Sequence, residues 1–221
     1  MDYQWDFAIV LRSFPVLLRG VGVTAQLWLG CFVVGAALGL LVASMRLSST
    51  RVVAALGMAW VELFRNVPAL IQLIWFFYAF PILISTQLTP FMAAFIGLAL
   101  NTSAYCAEIF RGGIQSVEKG QWEGAAALGM TRRAALRRVV LPQAVQRMVP
   151  AFTNRAVELA KTSSLASVLA VHELMYQGRL LSSTFYRPLE ILTVVALTYF
   201  VLIYPFSWAS YRLERRLGSR L

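Results

Sequence analysis

The chain has 221 residues, of which 59% are hydrophobic and 14% are charged, and its formal net charge is +10. The hydrophobic share is far above that of soluble domains and excludes an ordinary water-soluble fold. The length fits a single domain, 1–221, without a separate nucleotide-binding module. Because no Gly-x-x-x-x-Gly-Lys-Ser/Thr run occurs, we expect no ATP hydrolysis and no catalytic residues on this chain.

Five stretches are long and apolar enough to cross a bilayer, which needs about 20 apolar residues per helix. The alternating pattern of a membrane strand is absent, so the predicted fold is an all-α integral membrane bundle of five transmembrane helices. Asp2 and Asp6 precede the first stretch and no cleavage signature follows, so we expect no signal peptide. The predicted spans are residues 21–45, 52–84, 90–110, 148–171 and 189–211.

The second predicted span contains polar residues followed by a proline. Glu62 and Arg65 lie three residues apart, and Asn66 and Pro68 follow. Proline removes a backbone donor and disfavours helix at the residue before it, so we expect a kink or break here. Irregular backbone at membrane depth is tolerated only against protein or a watery cavity. We therefore expect this stretch to face the interior, where Glu62 and Arg65, with Asn101 of the third span, either line a substrate path or only pack.

A polar insert, residues 111–147, separates the third and fourth predicted spans. Its composition predicts a helix over 118–128 that ends at Gly129, a residue suited to the left-handed position after a helix. Thr131 can cap a second helix over 132–141, which we expect Pro142 to end. Two short helices joined by a glycine form a projection suited to a groove in another protein.

The fourth predicted span carries ionisable groups, which are costly in lipid and therefore candidates for function. Spacings of three and four residues place five polar side chains on or near one helical face. An amino acid zwitterion needs an acceptor for its ammonium and a donor for its carboxylate, which Glu158 and Lys161 would supply. Alternatively, Glu158 only neutralises neighbouring cations within the bundle. The five residues are Asn154, Arg155, Glu158, Lys161 and Thr162.

Positive charge predicts the orientation of the spans. The link from Arg46 to Arg51, the insert and the tail after Tyr211 carry net charges of +2, +5 and +3, which account for the whole +10. Under the positive-inside rule these segments are cytoplasmic, which places the N-terminus outside and the C-terminus inside. Because these charges lie at membrane edges, we expect no nucleic-acid partner. Cys31 and Cys106 lack neighbours that would form a metal site, and we expect none.

Three sequence runs carry a resemblance to a known family. The insert reads Gly-Gln-Trp-Glu-Gly-Ala-Ala-Ala-Leu-Gly over 120–129 and contains Leu141 and Pro142 further on, which resembles the EAA loop of ATP-binding-cassette importers. The runs 107–114, Ala-Glu-Ile-Phe-Arg-Gly-Gly-Ile, and 62–68, Glu-Leu-Phe-Arg-Asn-Val-Pro, are similar to the polar amino acid permeases. Gly124 replaces the usual first alanine of the loop, and Asn66 replaces a usual glycine.

The resemblance implies a type I importer permease, with residues 111–147 as its cytoplasmic coupling insert. It implies a bacterial inner-membrane location, an ABC ATPase dimer that holds ATP and magnesium, a second permease subunit and an extracytoplasmic amino-acid-binding protein. No cofactor would bind this chain itself. The residues it implies for ATPase coupling are Gln121, Glu123, Gly124, Ala125, Ala126, Leu128, Gly129, Leu141 and Pro142.

A stand-alone secondary amino acid carrier or channel is the alternative. Carriers bind substrate at broken helices near mid-membrane, and the second span is predicted to break. However, five spans do not divide into two equal halves, and no internal repeat is visible. A carrier would also have no use for the long insert, so the importer is favoured.

Overall fold

A computed structural model describes the backbone of residues 4–218 and the side chains of residues 4–213. These residues form helices joined by short turns, with no strand among them, which confirms the all-α prediction. A π-helical turn (Leu136–Val140) precedes α8, and a 3-10 helix (Ser163–Leu169) follows it. The α-helices are α1 (Ala8–Arg46), α2 (Arg51–Asn66), α3 (Ala69–Tyr78), α4 (Phe80–Ile84), α5 (Pro90–Gln115), α6 (Lys119–Ala127), α7 (Arg132–Ala135), α8 (Leu141–Thr162), α9 (Leu174–Phe185) and α10 (Pro188–Gly218).

Three of the described helices are long and apolar enough to cross a membrane alone: α1, α5 and the Pro188–Leu213 part of α10. The segments Arg51–Asn66 and Ala69–Ile84 pass the same test together, as a pair bent by 101°. The predicted break in the second span is thereby confirmed. Helix α1 has 39 residues and a length of about 58 Å, whereas a bilayer core is about 30 Å thick. The predicted first span, 21–45, is therefore only part of a longer helix.

The fourth predicted span is the least regular of the five. It falls on α8 and the 3-10 helix, and α8 is too polar to qualify as a span by composition. The prediction of one continuous helix over 148–171 is wrong at its end. Ser163–Leu169 adopts the tighter 3-10 geometry, and Ala170 closes it in the left-handed conformation at φ 59°. Short side chains with hydroxyl groups that bond local carbonyls, such as Ser163 on Ala160, favour this tightening.

Contacts divide the chain into two compact units, each made of three segments. The first unit comprises Met1–Val33, Val67–Ala99 and Val157–Pro205. The second comprises Val34–Asn66, Leu100–Ala156 and Phe206–Leu221.

The core of the first unit joins α1, α9 and α10. Its buried apolar cluster contains Val10, Leu17, Leu174, Ile191 and Val195. Val10 and Leu17 are seven residues apart and lie on one face of α1, as the helical repeat requires. Because lipid tails are as apolar as these side chains, the cluster stabilises the packing of the three helices through close van der Waals contact.

Two apolar clusters form the core of the second unit. One joins α1, α2 and α5 through Val42, Ala43, Val61 and Ala107. Close packing there depends on Gly39, because a Cβ at this position would lie 2.6 Å from the Cβ of Cys106 and 2.8 Å from the carbonyl oxygen of Ser103. The other cluster holds the polar insert against α5 and α8, and its buried members are Val117, Val140, Ala144 and Met148.

Candidate functional site

The break between α2 and α3 has a local cause and a specific partner. In a continuous helix the carbonyl oxygen of Phe64 would accept from the N–H of residue 68, but Pro68 has none. The side-chain amide of Asn101, on α5, donates to this oxygen at 2.8 Å. Asn101 is 5% exposed. It therefore donates to a carbonyl whose usual helical donor is absent because residue 68 is a proline.

Arg155 contacts the amide oxygen of Asn101, whose amide nitrogen bonds to Phe64. Its Nη2 donates to Oδ1 of Asn101 at 2.8 Å and to Oγ1 of Thr102 at 3.0 Å. Its guanidinium lies 4.1 Å from the centre of the Tyr105 ring, a cation–π contact. Arg155 is 5% exposed. Two residues predicted for the substrate path, Arg155 and Asn101, are thus brought together in one buried network that also fixes the end of α2.

The predicted neighbours Glu62 and Arg65 are exposed and bind different groups. Glu62 accepts a hydrogen bond of 2.6 Å from the side chain of Asn66. The guanidinium of Arg65 lies 5.3 Å from the Tyr105 ring centre, and its Nη1 is 3.9 Å from Oε2 of Glu108. Tyr105 therefore contacts two arginines, Arg65 from α2 and Arg155 from α8.

Glu108 is a functional candidate to which sequence reasoning assigned no role. Its carboxylate forms ion pairs with Arg46 at the end of α1, Arg65 at the end of α2 and Arg111 on its own helix. The Arg111 contact is 2.7 Å and the Glu108 side chain is only 20% exposed. The i,i+3 spacing of Glu108 and Arg111 was visible in the sequence. The other two partners are distant in sequence and could not be predicted from it.

The remaining predicted path residues lie on α8 in more open surroundings. Glu158 and Lys161 are exposed, and Thr162 is half-buried with its hydroxyl donating to the Glu158 carbonyl at 2.9 Å. The exposed Asn154 accepts a 3.4 Å hydrogen bond from Ser210. The predicted common face is therefore divided by exposure, because Arg155 is buried and the others are accessible. Accessible groups of opposite charge three residues apart can bind the two ends of a zwitterion.

The insert contains the two predicted helices. Helix α6 runs from Lys119 to Ala127, one residue shorter at each end than predicted. Gly129 follows it in the left-handed conformation with φ of 74°, as predicted. Thr131 caps α7 by accepting from the N–H of Ala134 at 3.3 Å, which confirms its predicted role. Both helix ends thus follow local rules for helix termination.

Pro142 does not end the second helix of the insert, and that prediction is wrong. Helix α7 continues through the π-turn, Leu136–Val140, into α8. In the π-turn the N–H of Leu141 bonds to the Leu136 carbonyl, five residues back. This wider turn resets the hydrogen-bond register just before the proline. Pro142 then lies in the first turn of α8, where its missing N–H has little cost.

Most predicted coupling residues lie on the surface of the insert. Leu128 is 83% exposed, whereas Ala125 is only 4% exposed and packs inward. Leu141 is also accessible, at 41%. The exposed set is Gln121, Glu123, Gly124, Ala126, Leu128, Gly129, Leu141 and Pro142. An exposed apolar side chain at the tip of a projection is typical of an interaction surface.

Polar contacts fix the insert to its supporting helices. The side-chain amide of Gln143 donates to Oε1 of Gln121 at 3.2 Å, which joins α8 to α6. Arg147 donates to the carbonyl oxygen of Ser116, between α5 and α6. Trp122 packs against the buried cluster of Val117, Val140, Ala144 and Met148. The insert is therefore a supported projection and not a loose loop.

A buried carboxylate outside the insert and outside the predicted spans is a second group that sequence reasoning missed. Glu173 is fully buried and caps α9 by accepting from the N–H groups of Met175 and Tyr176 at 3.0 and 2.7 Å. The Tyr199 hydroxyl donates to it at 2.7 Å. Burial raises the pKa of Glu173, while these hydrogen bonds and a longer one from Thr24 oppose the rise. His172 beside it is exposed and stacks on Tyr176.

Comparison with known proteins gives matches over nearly the whole chain. Residues 35–219 match the family model described as "Binding-protein-dependent transport system inner membrane component". The L-cystine transport system permease protein TcyB of Bacillus subtilis is 37% identical over 218 residues, covering 96% of this chain and 91% of TcyB. The glutamine transport system permease protein GlnP of Escherichia coli is 32% identical over 217 residues, covering 97% of this chain and 98% of GlnP.

Two solved structures share the fold. A chain from the crystal structure of an amino acid ABC transporter with histidines matches with a TM-score of 0.91 and 34% identity, covering 97% of this chain and 100% of that chain. A chain of the MetNI methionine ABC transporter in an inward-facing conformation matches with a TM-score of 0.74, covering 93% and 98% of the two chains. At 23% identity the second match shows the fold alone.

Proposed function

The chain belongs to the binding-protein-dependent transport system inner membrane components, and from this premise we propose that it moves polar amino acids through an ATP-driven importer. The resemblance to amino acid permeases and the type I permease fold are confirmed. The chain is a membrane-spanning permease subunit in a family whose ATPase is a separate subunit. The observation that carries the proposal is the structural match to a chain of an amino acid ABC transporter. The match covers 97% of this chain and 100% of that chain.

The assembly that we propose has four kinds of component. Two permease subunits, either two copies of this chain or this chain with a homologue, form the translocation path in the inner membrane. An ABC ATPase dimer binds ATP and magnesium and docks on the insert of each permease. An extracytoplasmic binding protein delivers the amino acid. The supported projection with exposed Leu128 at its tip favours a docking role for the insert.

The orientation that we propose follows from charge. The link between α1 and α2, the insert and the tail after α10 carry the positive excess and would face the cytoplasm. The N-terminus would then lie outside and the C-terminus inside. In this orientation the insert projects towards the side where ATP is present.

For the substrate path we propose that Glu158 accepts from the ammonium of the amino acid and Lys161 donates to its carboxylate. Both side chains are exposed, and Thr162 beside them has a hydroxyl. Asn154, Glu62 and Arg65 belong to the same proposed path. Asn101 and Arg155 would contribute by holding the broken span, because both are buried in their own network.

The experiment is uptake of radiolabelled amino acids into proteoliposomes that contain the permease, its ATPase and its binding protein. Glu158→Gln keeps the shape but removes the charge-assisted bond, so uptake per assembled complex should fall about 10- to 100-fold. Lys161→Met should act similarly through the carboxylate. Arg179→Gln is the control, because it removes an exposed charge on α9, outside both the proposed path and the insert.

Uptake and complex yield are measured together. A reduced yield with normal uptake per complex would mean that Glu158 and Lys161 only stabilise the bundle. Uptake that continues after ATP hydrolysis is blocked would contradict the importer and support a secondary carrier.

A further inference from the structure

Two arginines of α1 lie together on an exposed face of the helix. Arg12 and Arg19 are seven residues apart, which places them two turns apart on the same side. Both are exposed, and among the described residues neither side chain has a hydrogen bond, ion pair or ring contact. Leu11 and Leu18 beside them are 74% and 51% exposed. The face therefore presents two positive charges next to exposed apolar side chains.

Hydrogen bonds place the start of α1 at the level where α10 begins. Arg187 donates to the carbonyl oxygen of Gln4 at 2.7 Å. The N–H of Asp6 donates to Oε1 of Glu190 at 3.2 Å. Helix α10 qualifies as a membrane span from Pro188 onwards. Helices α1 and α10 therefore enter the membrane at the same level.

Aromatic side chains mark this level as the membrane surface. Trp5 and Phe7 are exposed, and their rings stack with centres 5.6 Å apart. Exposed aromatic residues are enriched where a membrane protein meets the headgroup layer. Arg12 and Arg19 follow these aromatic residues along the chain, on the membrane side. Their guanidiniums therefore lie at membrane depth, and not in the water outside.

Helix α1 is inclined to α10, so its depth in the membrane increases slowly along its first part. Oε2 of Glu173 accepts hydrogen bonds from Tyr199 at 2.7 Å and from Thr24 at 3.5 Å, which brings Thr24 close to the level of Tyr199. To reach this level α1 extends about 24 Å from Ala8, whereas α10 extends only about 14 Å from Glu190. The inclination also allows a 39-residue helix, about 58 Å long, to fit a bilayer of about 40–45 Å.

Both arginines therefore lie near the lipid headgroups. Measured from the level where the two helices begin, Arg12 is about 4 Å deep and Arg19 about 10 Å deep. The headgroup layer is about 5–8 Å thick, and long arginine side chains extend towards it from the edge of the hydrocarbon. A charge at this depth is costly without a counter-ion. We therefore expect a partner with negative charge.

A phospholipid fits this face better than a second copy of the chain does. Among residues 4–213, the exposed carboxylates are Glu62, Glu118, Glu123 and Glu158. Two of them lie in the insert and the other two belong to the proposed path, so a second copy has no further exposed carboxylate for these arginines. A phospholipid offers a phosphate to each guanidinium and acyl chains to the exposed leucines.

We propose that Arg12 and Arg19 bind the phosphate groups of anionic phospholipids, whose acyl chains cover Leu11 and Leu18. Lipids without a headgroup ammonium are favoured, because an ammonium is repelled by the neighbouring guanidiniums. The site lies in the leaflet where α1 begins, whichever side of the membrane that is, and it does not depend on the transported substrate. Lipid that binds only the folded permease also stabilises it.

The test uses the purified permease in mild detergent, without ATPase or binding protein. Native mass spectrometry measures the binding of dioleoylphosphatidylglycerol and of dioleoylphosphatidylethanolamine, and thermal unfolding measures the stabilisation that each lipid gives. Wild type should bind the phosphatidylglycerol about 10-fold more tightly. Equal binding and equal stabilisation by the two lipids would overturn the proposal before any variant is made.

Substitutions then test the arginines themselves. A basic residue near an anionic lipid contributes about 5-fold in affinity, so Arg12→Gln or Arg19→Gln should weaken phosphatidylglycerol binding about 5-fold and the double variant about 25-fold. Phosphatidylethanolamine binding should change little. The matched control is Arg133→Gln with Arg137→Gln, because these exposed arginines of the insert give the same change in net charge. It should leave the binding of both lipids unchanged.

The double variant can contradict the proposal in two ways. Phosphatidylglycerol binding equal to that of wild type would show that the arginines do not bind lipid. A lower fraction of two-copy complexes at unchanged lipid binding would identify the face as a contact between permease copies. If the double variant does not fold, the single variants and the comparison of lipids on wild type give the same test. Uptake is not measured here, so a failure of the proposed function would leave the result unaffected.

Discussion

Two regions of the molecule differ in how their charged side chains are paired. One is the network around Asn101 and Glu108, and the other is the insert. In the network, Arg46, Arg65, Arg111 and Arg155 all have partners within the chain. In the insert, Arg132, Arg133, Arg137 and Arg138 have none among the described residues. Charges that stabilise the fold are partnered internally, whereas charges without internal partners are available to another molecule. Substitutions in the two regions should therefore have different consequences, stability in one and association in the other.

The largest effect should come from the buried network. Asn101→Leu removes the buried hydrogen bonds to the Phe64 carbonyl and from Nη2 of Arg155, and each loss costs about 1–3 kcal/mol. We expect a loss of about 3–5 kcal/mol in the free energy of unfolding and a low yield of folded permease. Thermal unfolding in detergent and membrane yield measure these effects.

The matched control for this variant is Asn154→Leu, because Asn154 is exposed and its bond to Ser210 is long. The loss in the free energy of unfolding of Asn154→Leu should stay below about 1 kcal/mol. Equal losses at both positions would mean that the network does not depend on Asn101.

The insert should show a smaller effect on stability and a larger one on coupling. Gly129→Ala places a Cβ in the left-handed conformation, at a cost of about 1–2 kcal/mol. We expect the angle between α6 and α7 to change, and with it the stimulation of the ATPase in the reconstituted complex. ATP hydrolysis by the complex, normalised to the amount of permease, measures this change.

Gly124→Ala is the same substitution at a glycine inside α6, where a Cβ meets nothing within 4 Å. Here alanine should stabilise the helix by up to about 1 kcal/mol. If both variants stimulate ATP hydrolysis like wild type, the left-handed conformation of Gly129 has no part in coupling.

The smallest effect concerns Glu173, a second case of a buried group with internal partners. Burial raises the pKa of Glu173 in the folded state. Its contribution to the free energy of unfolding is therefore complete at pH values below the ordinary pKa of a glutamate, and it is lost as the pH rises through the raised pKa. Glu173→Gln removes this dependence. We therefore expect wild type to lose stability relative to the variant as the pH rises from about 4.

Thermal unfolding in detergent at a series of pH values gives this difference between variant and wild type. Glu118→Gln, at an exposed carboxylate, is the control for the loss of one carboxylate from the chain. If the stability difference between Glu173→Gln and wild type is the same at all pH values, the pKa of Glu173 does not change on folding.

Local rules predicted the parts of the fold that depend on a few neighbouring residues. The break at Pro68, the left-handed Gly129 and the cap at Thr131 all follow from the chemistry of one residue and its neighbours. The same rules failed at Pro142, because the π-turn upstream shifted the hydrogen-bond register that the proline would otherwise interrupt. A π-turn has no sequence signal comparable to a glycine or a cap.

The contacts that define the candidate site depend on residues far apart in sequence. Asn101 was predicted as a polar residue of the path, but its bond to the Phe64 carbonyl requires the packing of α5 on α2. Glu173 gave no signal, because nothing in the sequence indicates that Tyr199 and Thr24 lie beside it. Sequence patterns place residues on helices, and only tertiary packing decides which helices meet.

The carboxylate shared by α1, α2 and α5 has a consequence for the order of biosynthesis. Arg46 and Arg65 are synthesised before Glu108, and the first of them precedes it by 62 residues. At translation rates of about 5–20 residues per second, Arg46 waits about 3–12 s for its partner. During that interval neither arginine can form its ion pair with Glu108, so the three helices lack the charged contact that joins them. When Glu108 arrives, Arg46 and Arg65 form the ion pairs that join the three helices.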